Sequence, residues 1–230
     1  MNISILIPTR GKPELLIKNI QCIFQNAECP EEVEVIIRAD FDDYTLPVLL
    51  GCEKIFKNNI SIIIGRHFNG YRDIQIFFEE CAKLASGKLM MLYNDDFKML
   101  TDKFDSLLIA SAKGIAPITP RICKLDDGSG SHYSWSCVTI PRDLYSKIGE
   151  ICPGQNPVCD RAWESVSKHC GLVARAEVTI QHNYVKPEKE NLDRTFFLSE
   201  KQKNRPKWIE MWDHIGRETA KKICKNDKRD

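Results

Sequence analysis

Lys88-Leu89-Met90-Met91-Leu92-Tyr93 runs straight into Asn94-Asp95-Asp96. A short apolar run without helical spacing predicts a strand buried on both faces, and the polar residues place carboxylates directly at its end. Just before it, Gly87 supplies the stop of a helix whose apolar stripe is Ile74, Phe77, Phe78, Cys81, Leu84 and Ala85. A helix feeding a buried strand is half of a βαβ unit.

Toward the N-terminus the same alternation continues. Residues 60–64 read as a strand, and so does Glu32-Val33-Glu34-Val35-Ile36-Ile37-Arg38, which stops at the acidic stretch Asp40-Phe41-Asp42-Asp43. Asn2-Ile3-Ser4-Ile5-Leu6-Ile7 is a further buried strand, opening into the loop Pro8-Thr9-Arg10-Gly11. Pro13 suits a first helical turn, with Leu16, Ile20, Ile23 and Phe24 on one face of the helix that follows. Strands alternating with helices predict an α/β fold, with a mostly parallel central sheet flanked by helices in a single domain. In open sheets of that kind ligands bind beyond the carboxyl ends of the strands, where Thr9, Arg10, Asp40 and Asp96 fall.

The second half is less regular. It predicts a helix over 102–112, a short strand near 115–118, and a loop over 124–132 rich in Asp, Gly and Ser that has the chemistry of a lid. Residues 134–141 return to the sheet, 160–168 form a short helix and 172–181 a late strand. Trp208, Trp212, Ile215, Thr219 and Ile223 mark one stripe of a terminal helix. Residues 201–230 contain ten Lys or Arg against five Asp or Glu, so this is a basic helix packed on the domain formed by 1–200.

Composition removes several function classes. With 33 Lys plus Arg against 32 Asp plus Glu the net charge is +1, too small for a global field toward nucleic acid or an anionic membrane. No apolar run approaches the roughly eighteen residues that would span a bilayer, and strand-like sequence begins at once rather than a signal core. A cytoplasmic protein is expected, with peripheral membrane contact left to the basic helix. The ten cysteines form no C-x-x-C pair and read as buried free thiols.

Hard oxygen ligands in a phosphate-binding crevice suit Mg2+ or Mn2+, which need only one or two carboxylates beside phosphate and water. Asp96, with Asn94 or Asp95 assisting, meets that requirement, although Asn-Asp-Asp is also ordinary turn chemistry. Trp135, between the soft loop and a strand, has a ring able to stack on a sugar or base. Asn69-Gly70-Tyr71-Arg72-Asp73 opens the second helix, where free amides and Arg72 can meet phosphate.

The order of these motifs resembles family 2 glycosyltransferases. The resemblance is carried by Ile3-Ser-Ile-Leu-Ile-Pro-Thr-Arg10, Glu14-Leu-Leu, the acidic strand end at Asp40, Ala85-Ser-Gly87 and Asn94-Asp-Asp. It runs in good order from Met1 to about residue 100 and resumes more weakly from 140 to 182. It implies a GT-A fold of Rossmann-like type, with a nucleotide-binding half over 1–100 and an acceptor half over 101–200. By position it implies that Thr9, Arg10 and Asp40 hold base and ribose and that Asp96 binds the metal. Asp160 matches the acceptor's general base, and His182 a histidine that completes the metal or diphosphate site. Nucleotide contacts are thus expected from Pro8, Thr9, Arg10, Asp40, Tyr71, Asn94, Asp95 and Trp135. Two residues depart from the family pattern: Asn94 replaces the usual first aspartate, and Glu79 stands where asparagine is common.

The resulting expectation is an inverting transferase that moves a sugar from a UDP- or GDP-sugar to a hydroxyl acceptor. That acceptor is a glycan, a lipid-linked glycan or a hydroxymethylated nucleic-acid base. The alternatives are a sugar nucleotidyltransferase, which normally carries a more Gly-rich basic first loop, and an inactive nucleotide-sugar-binding module.

Overall fold

Ile3–Thr9 (β1) is buried at every position, as a strand covered on both faces must be. Its side chains alternate: Ile3, Ile5 and Ile7 enter one apolar cluster and Leu6 another, on the opposite face of the sheet. The computed structural model describes residues 1–56, 59–68, 73–125, 127–148, 159–183, 210–211, 213–221 and 223.

β1 lies between Val33–Asp40 (β2) and Leu89–Leu92 (β4), parallel to both, and Ile60–Gly65 (β3) adds a parallel strand outside β2. The sheet order is β3-β2-β1-β4-β8-β6-β9-β5, so the parallel half is the N-terminal half. Beyond β4 the pairing is mixed. Thr139–Pro141 (β8) runs antiparallel to β4 and to Ile118–Cys123 (β6), while Ala174–His182 (β9) runs parallel to β6 and antiparallel to Phe97–Met99 (β5). His132–Tyr133 (β7) folds the soft loop back onto β6.

β4 and β5 are joined by residues 93–96 alone, yet three strands stand between them in the sheet. Fully extended, that connector reaches about 17 Å, whereas four strand spacings in a flat sheet take about 19 Å. A turn between the Asn94 carbonyl and the Phe97 amide shortens the reach further. The sheet therefore curls until its two parts face each other, and Asn94-Asp95-Asp96 bridges them.

Helices cover both faces. Pro13–Gln25 (α1), Leu46–Phe56 (α2) and Phe104–Ser111 (α4) pack Leu16, Ile20, Ile23, Leu49, Phe104 and Leu108 on the cluster of Ile3 and Ile5. Ile74–Leu84 (α3), Arg142–Ile148 (α5) and Cys159–Cys170 (α6) pack Phe78, Cys81, Leu144 and Trp163 on the other. Described positions between 210 and 223 are helical; Ile223 joins this second cluster, and Gly216 lies hard against Ser165 of α6. Trp208 and Trp212 lie outside the described side chains. Among the described residues no helix is long and apolar enough to cross a membrane.

Of the elements above, α2, β5, β7 and α5 were not legible in the pattern. The strand expected near 115–118 lies instead over Ile118–Cys123, passing Pro120 because the register with β9 shifts between Thr119 and Arg121, where a missing N–H is tolerated. Gly87 does not stop α3. That helix ends at Leu84, with Ala85 extended and its amide on the Cys81 carbonyl. Gly87 is small because β1 passes it: a Cβ there would lie 2.6 Å from the Ser4 amide nitrogen and 2.7 Å from the Ile3 carbonyl carbon. Its amide donates to Ser4 Oγ at 2.8 Å. Backbone cannot yield as a side-chain tip can, so Gly87→Ala is expected to lower the unfolding free energy by about 2 kcal/mol. Urea unfolding checks this, and an unchanged midpoint would contradict the close approach.

Candidate active site

The β1 loop is tied to the end of β4 by side chains. Thr9 Oγ1 donates to Asp95 Oδ2 at 3.1 Å, and Lys12 Nζ lies 3.4 Å from Asp95 Oδ1. Asn19 of α1 donates to the Asp95 carbonyl at 2.7 Å. Burial pushes the Asp95 carboxyl above its ordinary value, and the Lys12 ammonium pulls it back down.

The same loop is tied to the end of β2. Gly11, with φ +72°, donates its amide to Asp43 Oδ2 at 2.9 Å. Arg10 donates to Asp40 Oδ2 at 2.9 Å and to Asp42 Oδ1 at 2.7 Å. The hydrogen bond to Asp42 raises the Arg10 guanidinium, and the same contact holds the exposed Asp42 carboxyl below its usual range. His67 Nδ1 reaches Asp40 Oδ2 at 2.6 Å from the end of β3. Beneath them lies Arg38, buried in β2, which donates to Asp40 Oδ1 and to Glu80 Oε2 of α3.

The third corner depends on the curl of the sheet. Phe97 pairs with His182 across β5 and β9, and the two rings meet edge to face with centroids 5.0 Å apart. Tyr93 also meets Phe97 edge to face, with centroids 5.4 Å apart. Thus seated, His182 Nε2 lies 3.4 Å from Asp96 Oδ2. The Asp96 carbonyl accepts from the Asn183 amide at 2.9 Å. Asp96 is buried, but 32% of the His182 side chain remains exposed, so the pair opens to solvent on the histidine side.

Thr9, Arg10, Asp40 and Asp95 are thereby joined in one network, with Asp96 and His182 paired beside it. Pro8 stands opposite Arg38 in the β1–β2 register, and Asn94 makes the turn into Phe97. Trp135 is half-buried and packs against the cluster of Trp163 and Ile140. Asp160 lies in the first turn of α6, half-buried; the residues before it at 149–158, and Tyr71, lie outside the described residues. Glu79 turns inward instead of toward the crevice: it is buried, accepts from Gln75 Nε2 at 2.6 Å and takes the Tyr145 hydroxyl.

Sequence reasoning missed Lys12, Asn19, Arg38, Asp42 and His67. Arg38 left a signal, a charged residue inside an apolar strand, and such a residue is buried with partners or not at all. Among the described residues Asp40, Asp42 and His67 bring three ligand atoms within 4.8 Å of one another. Guanidinium groups already neutralise both carboxylates there. Asp96 and His182 bring a carboxylate oxygen and an imidazole nitrogen, both donor types that a divalent ion accepts, to 3.4 Å from each other.

No protein-family model matches the sequence, and no curated protein does. Solved structures do match. S. aureus TarS 1-349 superposes with TM-score 0.60 at 12% identity, covering 80% of this chain and 60% of that one. The same protein in complex with UDP gives 0.60 at 10%, covering 79% and 60%. GalNAc-T7 with UDP, GalNAc and Mn2+ gives 0.63 at 11%, covering 95% of this chain and 55% of that one. The chain thus spans a little over half the length of the structures it matches. Agreement over most of this chain at so low an identity speaks for the fold alone: the chain has the GT-A fold.

Proposed function

We propose that this chain is an inverting glycosyltransferase that moves a sugar from a UDP- or GDP-sugar to a hydroxyl acceptor, assisted by Mn2+ or Mg2+. The observation that carries the reading is the junction of strand ends: one loop after β1 is bonded both to Asp95 beyond β4 and to Asp40 at the end of β2. A nucleoside diphosphate suits that junction, because loop cations stand beside carboxylates able to accept from a ribose or base. UDP in a structure of the same fold, and UDP with Mn2+ in another, support the same reading.

In this reading Thr9, Arg10 and Asp40 hold base and ribose, with Pro8 beside them at the end of β1, and Lys12 directs charge toward the phosphates. Asn94 and Asp95 shape the floor, while Tyr71 and Trp135 complete the nucleotide contacts. Asp96 and His182 would hold the cation, which when bound offsets charge on the departing diphosphate. Asp160 accepts the proton of the acceptor hydroxyl as its oxygen attacks the anomeric carbon from the face opposite the diphosphate. A single displacement of that kind inverts the carbon. Residues 1–100 are the nucleotide half, 101–200 the acceptor half, and 201–230 a basic helix on the domain. The acceptor is a glycan, a lipid-linked glycan or a hydroxymethylated base, and a net charge of +1 gives the last no electrostatic help.

A panel of nucleotide sugars with and without Mn2+ tests the proposal. Free nucleoside diphosphate and released sugar are expected. Pyrophosphate exchange would instead indicate a nucleotidyltransferase, and binding without turnover a binding module. Asp96→Ala is expected to lower metal-dependent turnover at least about a hundredfold, and calorimetry showing equal donor affinity with and without Mn2+ would contradict the assignment. Asp160→Ala should keep nucleotide affinity within about twofold while slowing transfer by about a hundredfold or more; parallel losses in both would remove it as the base. Lys12→Met withdraws the charge that lowers the Asp95 carboxyl, so that group should titrate at still higher pH. A carboxyl carbon NMR titration reads this directly, and a downward movement would refute it.

A further inference from the structure

Arg38 is a guanidinium inside a sheet. Its side chain is 1% exposed and is held on every side. Nε donates to Glu80 Oε2 at 2.8 Å, Nη2 to the Arg66 carbonyl, and Nη1 to Asp40 Oδ1, while the Phe77 ring centroid lies 4.0 Å from Cζ. Room for it is made by Gly65, where a Cβ would come 2.5 Å from Nη2. An apolar side chain of similar length would fill this space without the desolvation penalty that a guanidinium brings. What Arg38 adds is a fixed grip on Asp40.

That grip divides the carboxylate. Oδ1 is taken from below by Arg38, and Oδ2 is left toward the exposed side, where His67 and Arg10 meet it. Arg10 has a side chain 42% exposed and can swing aside for a ligand hydroxyl or ring N–H. Arg38, packed between β2, β3 and α3, cannot.

We propose that Arg38 is a positioning residue for nucleotide recognition, holding Asp40 so that Oδ2 is presented to the nucleoside part of the donor. The proposal rests on the nucleotide-sugar reading above and deepens it. Arg38 touches no ligand in this arrangement and acts wholly through Asp40.

Calorimetry with UDP and GDP in the presence of Mn2+, on the full chain, tests it through a double-mutant cycle. Arg38→Met is expected to weaken binding of the preferred nucleotide about tenfold, as loss of a buried charge-assisted contact does. Asp40→Asn should weaken it comparably, and the double variant no further than Asp40→Asn alone. Binding of Mn2+-pyrophosphate, which has no nucleoside, should stay within about twofold in all three variants, a pattern that general damage to the fold would not give. If Arg38→Met fails to fold, Gly65→Ala, which crowds Nη2, must show the same nucleotide-selective loss to a smaller degree. Losses that add fully in the double variant, or that fall equally on pyrophosphate, overturn the proposal; so does a folded Gly65→Ala with unchanged affinity. A wild-type chain that binds neither nucleotide overturns the proposed function, and this inference with it.

Discussion

A connector of four residues between strands that stand four spacings apart leaves the sheet no flat solution. The resulting curl brings β9 beside the end of β4, seats His182 on Phe97 and turns its imidazole to Asp96. The same connector carries Asp95, which the first loop and α1 hold by three contacts. Shape and chemistry thus share one cause, since the residues that force the curl are those with oxygens to offer.

The acidic groups of the crevice differ in how the chain answers their charge. Asp40 is gripped by a buried guanidinium and touched by an exposed one. Asp95 is half-buried against an ammonium. Asp96 faces an imidazole, whose charge depends on protonation and which can serve as a ligand as well as a partner. A divalent ion competes poorly with fixed guanidinium groups and well with a neutral imidazole. That ranking is why the proposed reading assigns the cation to Asp96 and the nucleoside to Asp40.

The parallel half of the fold was readable because its strands are mostly apolar runs and because α1 and α3 each carry a clean apolar stripe. β5 was not, because three residues after a polar turn carry no period, and its place at the far side of the sheet depends on pairing with a strand more than eighty positions away. α2 and α5 were obscured by position: one follows an acidic turn that reads as loop, the other begins directly after a strand ending in Pro141. Of the site, the strand-end acids and Thr9 could be named from order alone. His67 could not, and Arg38 only as a charge inside an apolar strand, since their contacts come from β2 and β3 lying side by side and, for Arg38, from a glycine that makes room. Gly87 teaches the same lesson in reverse: its place after a helix suggested a terminator, while the pressure on it comes from a neighbouring backbone.

The pairing of Phe97 with His182 has a kinetic side. It closes a loop of about 85 residues, and the entropy lost in such a closure must be met before any contact beyond it can form. Local helices and the β1–β2–β3 ladder have no such requirement, so they can be in place while Asp96 still lacks its histidine. A nascent chain can therefore join Arg10 to Asp40 before the Asp96–His182 pair forms, since that pair waits for β9.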